Sequence, residues 1–278
     1  MEKSTIKWAM YLNYFVFAIL LNSVGIVILK AQRNYGVDEL EASILEAFKD
    51  LPIAIVSFLV ASFLPRIGYK RAMLIGLGLV YMACIVMYFG NSFATAKLLF
   101  ATVGVSFALI KVSVYSLIGT VTENQQEHNS LMSSIEGVFM IGIALAYFLF
   151  PAFNSETNPD AWLNVYWLLA GISGVSFAFL FLAKSENQVE VPGVNLLDDF
   201  RQMFQLMAKL LTIVFVISAF LFVMIEQGIM SWLPTFNSKV LHLPENISIM
   251  MASILAISLA VGRLAAGFLT KKSIGYGF

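Results

Sequence analysis

The sequence predicts an all-α, polytopic membrane protein, and three observations carry that prediction. Of its 278 residues, 59% are hydrophobic and only 12% charged, against roughly a quarter charged in an ordinary soluble domain. The apolar residues gather into runs of the ~20 residues that a bilayer-spanning helix needs. None of these runs alternates with polar residues, so a barrel is not indicated, and lipid admits only helices or closed barrels.

Eight such segments follow in order, at about 8–30, 42–64, 72–90, 97–121, 131–150, 162–183, 209–233 and 246–270. The first is too long for a signal-peptide core and lacks a small-residue cleavage site, so it reads as a retained helix. The second enters through the charged residues Glu46, Lys49 and Asp50 and carries Pro52 just below them. Between the second and third lies Ala61-Ser62-Phe63-Leu64-Pro65-Arg66-Ile67-Gly68-Tyr69-Lys70-Arg71, a basic turn of the kind that sits on the cytoplasmic side. The fourth and fifth form a hairpin turning near Gln125 to Glu127, and the seventh carries Glu226 through Pro234, where Trp232 and Pro234 are expected to end it.

Orientation follows from the cations in alternate connections. Lys3, Lys7, Arg66, Lys70, Arg71, Lys184, Arg201, Lys209, Lys271 and Lys272 fall on one side, and Lys30, Arg33, Lys97 and Lys239 on the other. The richer side is read as cytoplasmic. That places the N-terminus in the cytoplasm and the connections around Gly36, Asn91, Asn154 and His242 outside, for a multi-pass protein of the cell inner (plasma) membrane.

Connections are short except over 184–208, where polar residues, Pro192 and Gly193 interrupt the pattern. The expected organisation is therefore a six-helix N-terminal bundle over 1–183, a cytoplasmic linker over 184–208, and the first two helices of a second bundle over 209–278. Within the linker Asn195 can cap a helix with Asp198 three residues on. Leu196, Leu197, Phe200, Met203, Phe204 and Met207 then share a face, as in a helix lying on the inner leaflet or extending the seventh segment.

The basic turn resembles the loop between helices two and three of the major facilitator superfamily, approximately Gly-x-x-x-Asp-Arg-x-Gly-x-Lys/Arg. Arg66, Gly68 and Lys70 match, with Arg71 following, whereas Ala61 replaces the glycine and Pro65 the acid. Ala266-Gly267-Phe268-Leu269-Thr270-Lys271-Lys272 repeats the pattern after the eighth segment, with Gly262-Arg263 before it, and Glu226-Gln227-Gly228-Ile229-Met230-Ser231-Trp232-Leu233-Pro234 is similar to helix seven of sugar and organic-anion porters, the fucose-permease-like branch among them. The resemblance implies two six-helix bundles rocking about a midplane site. It also implies twelve helices, so this chain is expected to lack the last four. It makes Arg66, Gly68, Lys70, Arg71 and Arg263 the gating-loop residues, and the replaced acid removes the expected gate partner.

Ionisable groups inside the bilayer cost at least ~2.5–3.5 kcal/mol each on insertion scales, which makes every one a functional candidate. Lys111, mid-helix, needs a partner or water. Glu136 across the hairpin is offset by about five residues, roughly 7.5 Å at 1.5 Å per residue, within reach of two long side chains. Lys111 therefore serves either as half of a structural ion pair or as the cation that attracts an anionic or hydroxyl-rich solute. Glu226, in apolar surroundings, is a candidate proton or substrate carrier or a structural hydrogen-bonding group. Asn22, Gln227 and Trp232 are the further binding candidates; Asn13 and Asn22 are half a revolution apart and cannot face one cavity. Glu46, Lys49 and Asp50 share a face and suggest an external mouth or a self-neutralising cluster.

The chain has no phosphate-binding Gly-x-x-x-x-Gly-Lys-Ser/Thr loop, which excludes a nucleotide-driven pump. A lone Cys84 and two scattered histidines provide no metal site, no cofactor is implied, and zero net charge suggests no nucleic-acid partner. The expected function is a proton-coupled secondary transporter, a symporter of a small polar solute such as a sugar or sugar derivative, partnered by the lipid bilayer, the solute and a proton, and no enzyme. An organic-anion or drug-efflux porter, or an inactive truncated membrane fragment, is the alternative.

Overall fold

A computed structural model describes residues 2–155, 157–183, 205 and 209–274, with side chains omitted at 2, 3, 61–63, 65, 66 and 263–274. Nine α-helices are present among these: α1 (Glu2–Asn22), α2 (Val24–Asn34), α3 (Glu39–Ile67), α4 (Tyr69–Gly90), α5 (Phe93–Val121), α6 (Gln125–Ala152), α7 (Val165–Leu182), α8 (Leu210–Lys239) and α9 (Glu245–Ile274). A single 3₁₀ turn, Ala161–Asn164, leads into α7. The linker expectation, including the amphipathic run from Asn195 to Met207, lies outside the described residues.

The helix boundaries are written in local chemistry. Asp38 accepts a hydrogen bond from the Glu41 N–H at 2.7 Å, Asn124 accepts from the Glu127 N–H at 2.8 Å, and Ser92 with Thr95 forms a reciprocal capping box. One residue, Gly68, joins α3 to α4 with φ +93°, which only glycine adopts freely, so the basic turn reduces to a single-residue corner. Asn91 ends α4 in the left-handed region. α1 and α2 form one path: the Ser23 N–H donates to Ile19 O and the Val27 N–H to Ser23 O, and only a one-residue break separates them.

Seven helical segments are long and apolar enough to cross a membrane. α3 has the length as well, with Glu39, Glu41, Glu46, Lys49 and Asp50 in its first half and an apolar run from Leu51 to Leu64 in its second. Taking α1 with α2, and the 3₁₀ turn with α7, eight transverse segments correspond to the eight expected. One expectation fails: α8 does not end at Trp232 and Pro234 but continues to Lys239. Packing outweighs the lost proline N–H there, because Pro234, Thr235 and Asn237 are buried and the Asn237 amide donates to Ser248 O at 3.0 Å.

α3 and α4 pack on α5, α4 on α7, α1 on α6 and α7, α2 on α8, and α9 on α6 and α8. The distribution of polarity is inverted relative to a soluble protein. Leu51, Ile55, Phe89, Phe181, Leu211 and Phe215 are exposed, whereas Asn13, Lys49, Ser106, Ser113, Ser173 and Ser176 are buried. Such a surface is stable against acyl chains and would aggregate in water.

Close approach is made by glycine. A Cβ on Gly104 of α5 would collide with the Lys49 carbonyl of α3, one on Gly25 of α2 with the Ser231 backbone of α8, and one on Gly142 of α6 would lie 2.9 Å from Phe15 O. Gly104→Val and Gly25→Val are each expected to lower stability by about 1–3 kcal/mol, because backbone cannot move aside as a flexible side chain does. Gly137→Ala, where nothing lies within 4 Å, is expected to leave it unchanged or slightly raised. Thermal unfolding of the three variants in detergent checks this.

Candidate functional site

The bundle has two ends, here named by their turns: the Gly68 end and the His242 end. At the His242 end the two halves are tied by charge. Glu245, the first residue of α9, pairs with Lys30 of α2 and accepts from Arg33 Nη1 at 2.6 Å and from Asn154 Nδ2 at 3.3 Å. Arg33 Nη2 also donates to Ser238 Oγ at 2.6 Å, and Lys239 pairs with Glu39. Lys30 is almost fully buried and stands 5.8 Å over the Trp162 ring. Just beneath, Gly25 and Ser231 bring α2 and α8 into backbone contact.

Every buried residue of α8 lies at or beyond Met230, toward the His242 end, while Leu211, Phe215, Phe220 and Ile225 are exposed.

Next to this seal is a hollow of about 340 Å³ lined from five segments. α1 contributes Leu21 and Asn22, α3 Lys49, Asp50 and Ile53, α5 Phe107 and Lys111, α6 Phe139 and Ile143, and α8 Val223, Glu226, Gln227 and Met230. Lys49 Nζ lies 3.4 Å from Asp50 Oδ1, with the lysine buried and the aspartate half exposed. Lys111 Nζ stands 5.8 Å from the centroid of Phe107, whose ring stacks on Phe139 at 6.0 Å and 29°. The Asn22 amide donates to Ala18 O at 2.9 Å.

The predicted site residues thus divide. Lys111, Glu226, Asn22 and Gln227 come together, and Lys49 and Asp50 join them instead of forming a separate mouth. Glu46 stays off the lining, half-buried, one oxygen without a hydrogen-bond partner. Glu136 does not pair with Lys111. It accepts a 2.5 Å hydrogen bond from the Tyr115 hydroxyl and lines a different groove, about 1040 Å³, between α6 and α9. The axial offset is compatible with the ion pair, but Tyr115, one turn along the same face of α5, takes Glu136, and Lys111 lines the hollow. Trp232 packs into the main hydrophobic core. Asn13 is fully buried and accepts from Ser176 at 3.2 Å, facing α7 while Asn22 faces the hollow.

Of the turn residues, Lys70 donates to Phe181 O at 3.1 Å and to Ala183 O, binding the Gly68 corner to the end of α7. Arg71 is exposed; the side chains of Arg66 and Arg263 lie outside the described ones. The Glu245 tie was missed by sequence reasoning, although a signal existed: Lys30, Arg33 and Glu245 all fall in connections assigned to one side. Among the described residues no cluster of histidine, cysteine, aspartate or glutamate could hold a metal ion.

No curated protein matches the sequence. Among solved structures the chain is similar to a D-xylose-proton symporter, with a TM-score of 0.66 over 98% of this chain and 70% of that one, at 13% identity. That likeness concerns the fold. The family model of the Major Facilitator Superfamily matches residues 10–278. With that match over nearly the whole sequence, the chain belongs to the Major Facilitator Superfamily of membrane transporters.

Proposed function

We propose that the chain acts in proton-coupled secondary transport of a small polar solute, a sugar or sugar derivative, by alternating access. The observation that carries this reading is the convergence of Asn22, Lys49, Asp50, Lys111, Glu226 and Gln227 on one hollow between the two halves. Polar side chains at bilayer depth need water, partners or a ligand. A hollow of this size lies at the small end of ligand sites, roughly 300–1,000 Å³, which suits a hexose-sized solute better than a drug-sized one.

Asn22 and Gln227 are the hydroxyl-binding groups, the Phe107–Phe139 pair supplies an apolar face, and Lys111 is the cation. Glu226 is the proton carrier, the one carboxylate that α8 brings to the lining, between Val223 and Met230. Residues 1–183 form the first bundle, 184–208 the linker, and 209–278 the start of the second. The Gly68 end, where Lys70 and Arg71 sit, is cytoplasmic in the inner membrane, along with the N-terminus. With the His242 end tied, the conformation is inward-facing.

In reconstituted vesicles Glu226→Gln is expected to abolish proton-driven uptake while leaving solute exchange. Uptake with unchanged pH dependence rejects the assignment. Glu245→Gln removes the carboxylate shared by Lys30 and Arg33, so the His242 end is expected to open more often. A cysteine at Met230 should then react several-fold faster with an impermeant maleimide added from outside than in the parent. The native Cys84 is buried and contributes little background. Equal rates count against the inward-facing assignment.

A further inference from the structure

Lys49 of α3 pairs with an unusual partner. Its ammonium is buried, and among the described residues the one carboxylate it pairs with is Asp50, the next residue along the chain, with Nζ 3.4 Å from Oδ1. Side chains one residue apart leave a helix about 100° apart and do not face each other, whereas those three apart do. The residue three before Lys49 is Glu46, and its Oε1 is buried without a hydrogen-bond partner. The ammonium therefore reaches sideways to Asp50 and leaves an empty acceptor one turn behind it.

The backbone at this point is held. Gly104 of α5 admits the Lys49 carbonyl to close contact, with the Pro52 ring beside it, so the turn cannot shift and only side chains can rearrange. A flexible four-carbon stem can carry the Lys49 ammonium from one carboxylate to the other by rotation about its own bonds.

Asp50 is the member of the pair presented to the hollow. Its side chain is 54% exposed against 4% for Lys49. Around it stand Asn22, Gln227 and the Phe107–Phe139 pair, with Lys111 and Glu226 completing the ionisable lining. The two oxygens of a carboxylate can accept from adjacent hydroxyls of a polyol, and hydrogen bonds to an ionised acceptor are roughly twice as strong as those to a neutral amide. Such a solute replaces the ammonium as the donor to Asp50. The displaced ammonium then needs another carboxylate, because an unpaired buried charge is costly, and Glu46 stands one turn away with an oxygen free.

We propose that Asp50 binds adjacent hydroxyls of a sugar and that Lys49 is a two-position ammonium, on Asp50 in the empty hollow and on Glu46 in the occupied one. Asp50 touches the solute, and Lys49 and Glu46 are positioning residues. This rests on the carrier reading above and adds a binding residue to it.

One arm of the test needs no solute. Asp50→Asn should unfold in detergent close to the parent, because Glu46 takes up the ammonium. Asp50→Asn combined with Glu46→Gln strands that ammonium and should lower the unfolding temperature by about 5 °C or more beyond the sum of the two single losses. Additive losses overturn the handover. The second arm is calorimetric titration of the purified chain with D-glucose, D-galactose, D-xylose and D-fructose. Asp50→Asn should weaken binding of whichever sugar the parent takes by about tenfold or more. Glu46→Gln, although off the lining, should weaken it by about threefold or more, and that loss should vanish in a Lys49→Met background. Parental affinity in Asp50→Asn, or a Glu46→Gln loss that persists without Lys49, overturns the proposal and leaves the carrier reading standing. If none of the four sugars binds, the sugar reading of the hollow and the role of Asp50 fall together, while the first arm still decides whether Lys49 has two positions.

Discussion

Everything in this molecule follows from keeping polar groups out of contact with acyl chains. Backbone N–H and C=O groups meet that constraint inside helices, and the Ser23 and Ser116 hydroxyls meet it by donating to carbonyls of the preceding turn. Charged side chains cannot be satisfied so locally. Lys111, Glu226 and the Lys49–Asp50 pair line one hollow where five segments meet, and ionisable groups at bilayer depth need water or a partner there. The same constraint that folds the chain also constructs its candidate site.

A second consequence concerns how the halves are joined. Glycine at Gly25 lets α2 and α8 touch backbone to backbone, and Glu245 gathers two cations and an amide from the first half. Both devices are reversible: an ion pair near water contributes little once solvated, and a small-residue contact has no interdigitated side chains to withdraw. Lys30 is the exception, since its burial against Trp162 makes its carboxylate partner harder to lose. Joining by such contacts suits a hinge better than a permanent interface.

The polar and apolar cavities play different parts. The groove between α6 and α9 is larger than the central hollow yet lined chiefly by Met132, Val138, Ile141 and Val261, with Glu136 held by Tyr115 at one side. Size alone would choose the apolar groove. Convergence of ionisable groups from both halves distinguishes the smaller one.

The sequence by itself determined the class, the eight segments, their order and which residues were too polar for lipid, because each depends on composition over a window of one helix length. It also predicted that Asn13 and Asn22 look in different directions, since rotation per residue is a local property. It did not determine which charges would meet. Lys111 has an acid within axial reach in Glu136 and another in Glu226 more than a hundred residues away, and only the packed structure decides that the nearer one takes Tyr115. The persistence of α8 through Pro234 and the Glu245 tie likewise depend on neighbours distant in the chain. Helix existence is a one-dimensional property of apolar patterning, whereas the pairing of buried charges is set by how whole helices rotate and cross, and that is known only once all of them are packed.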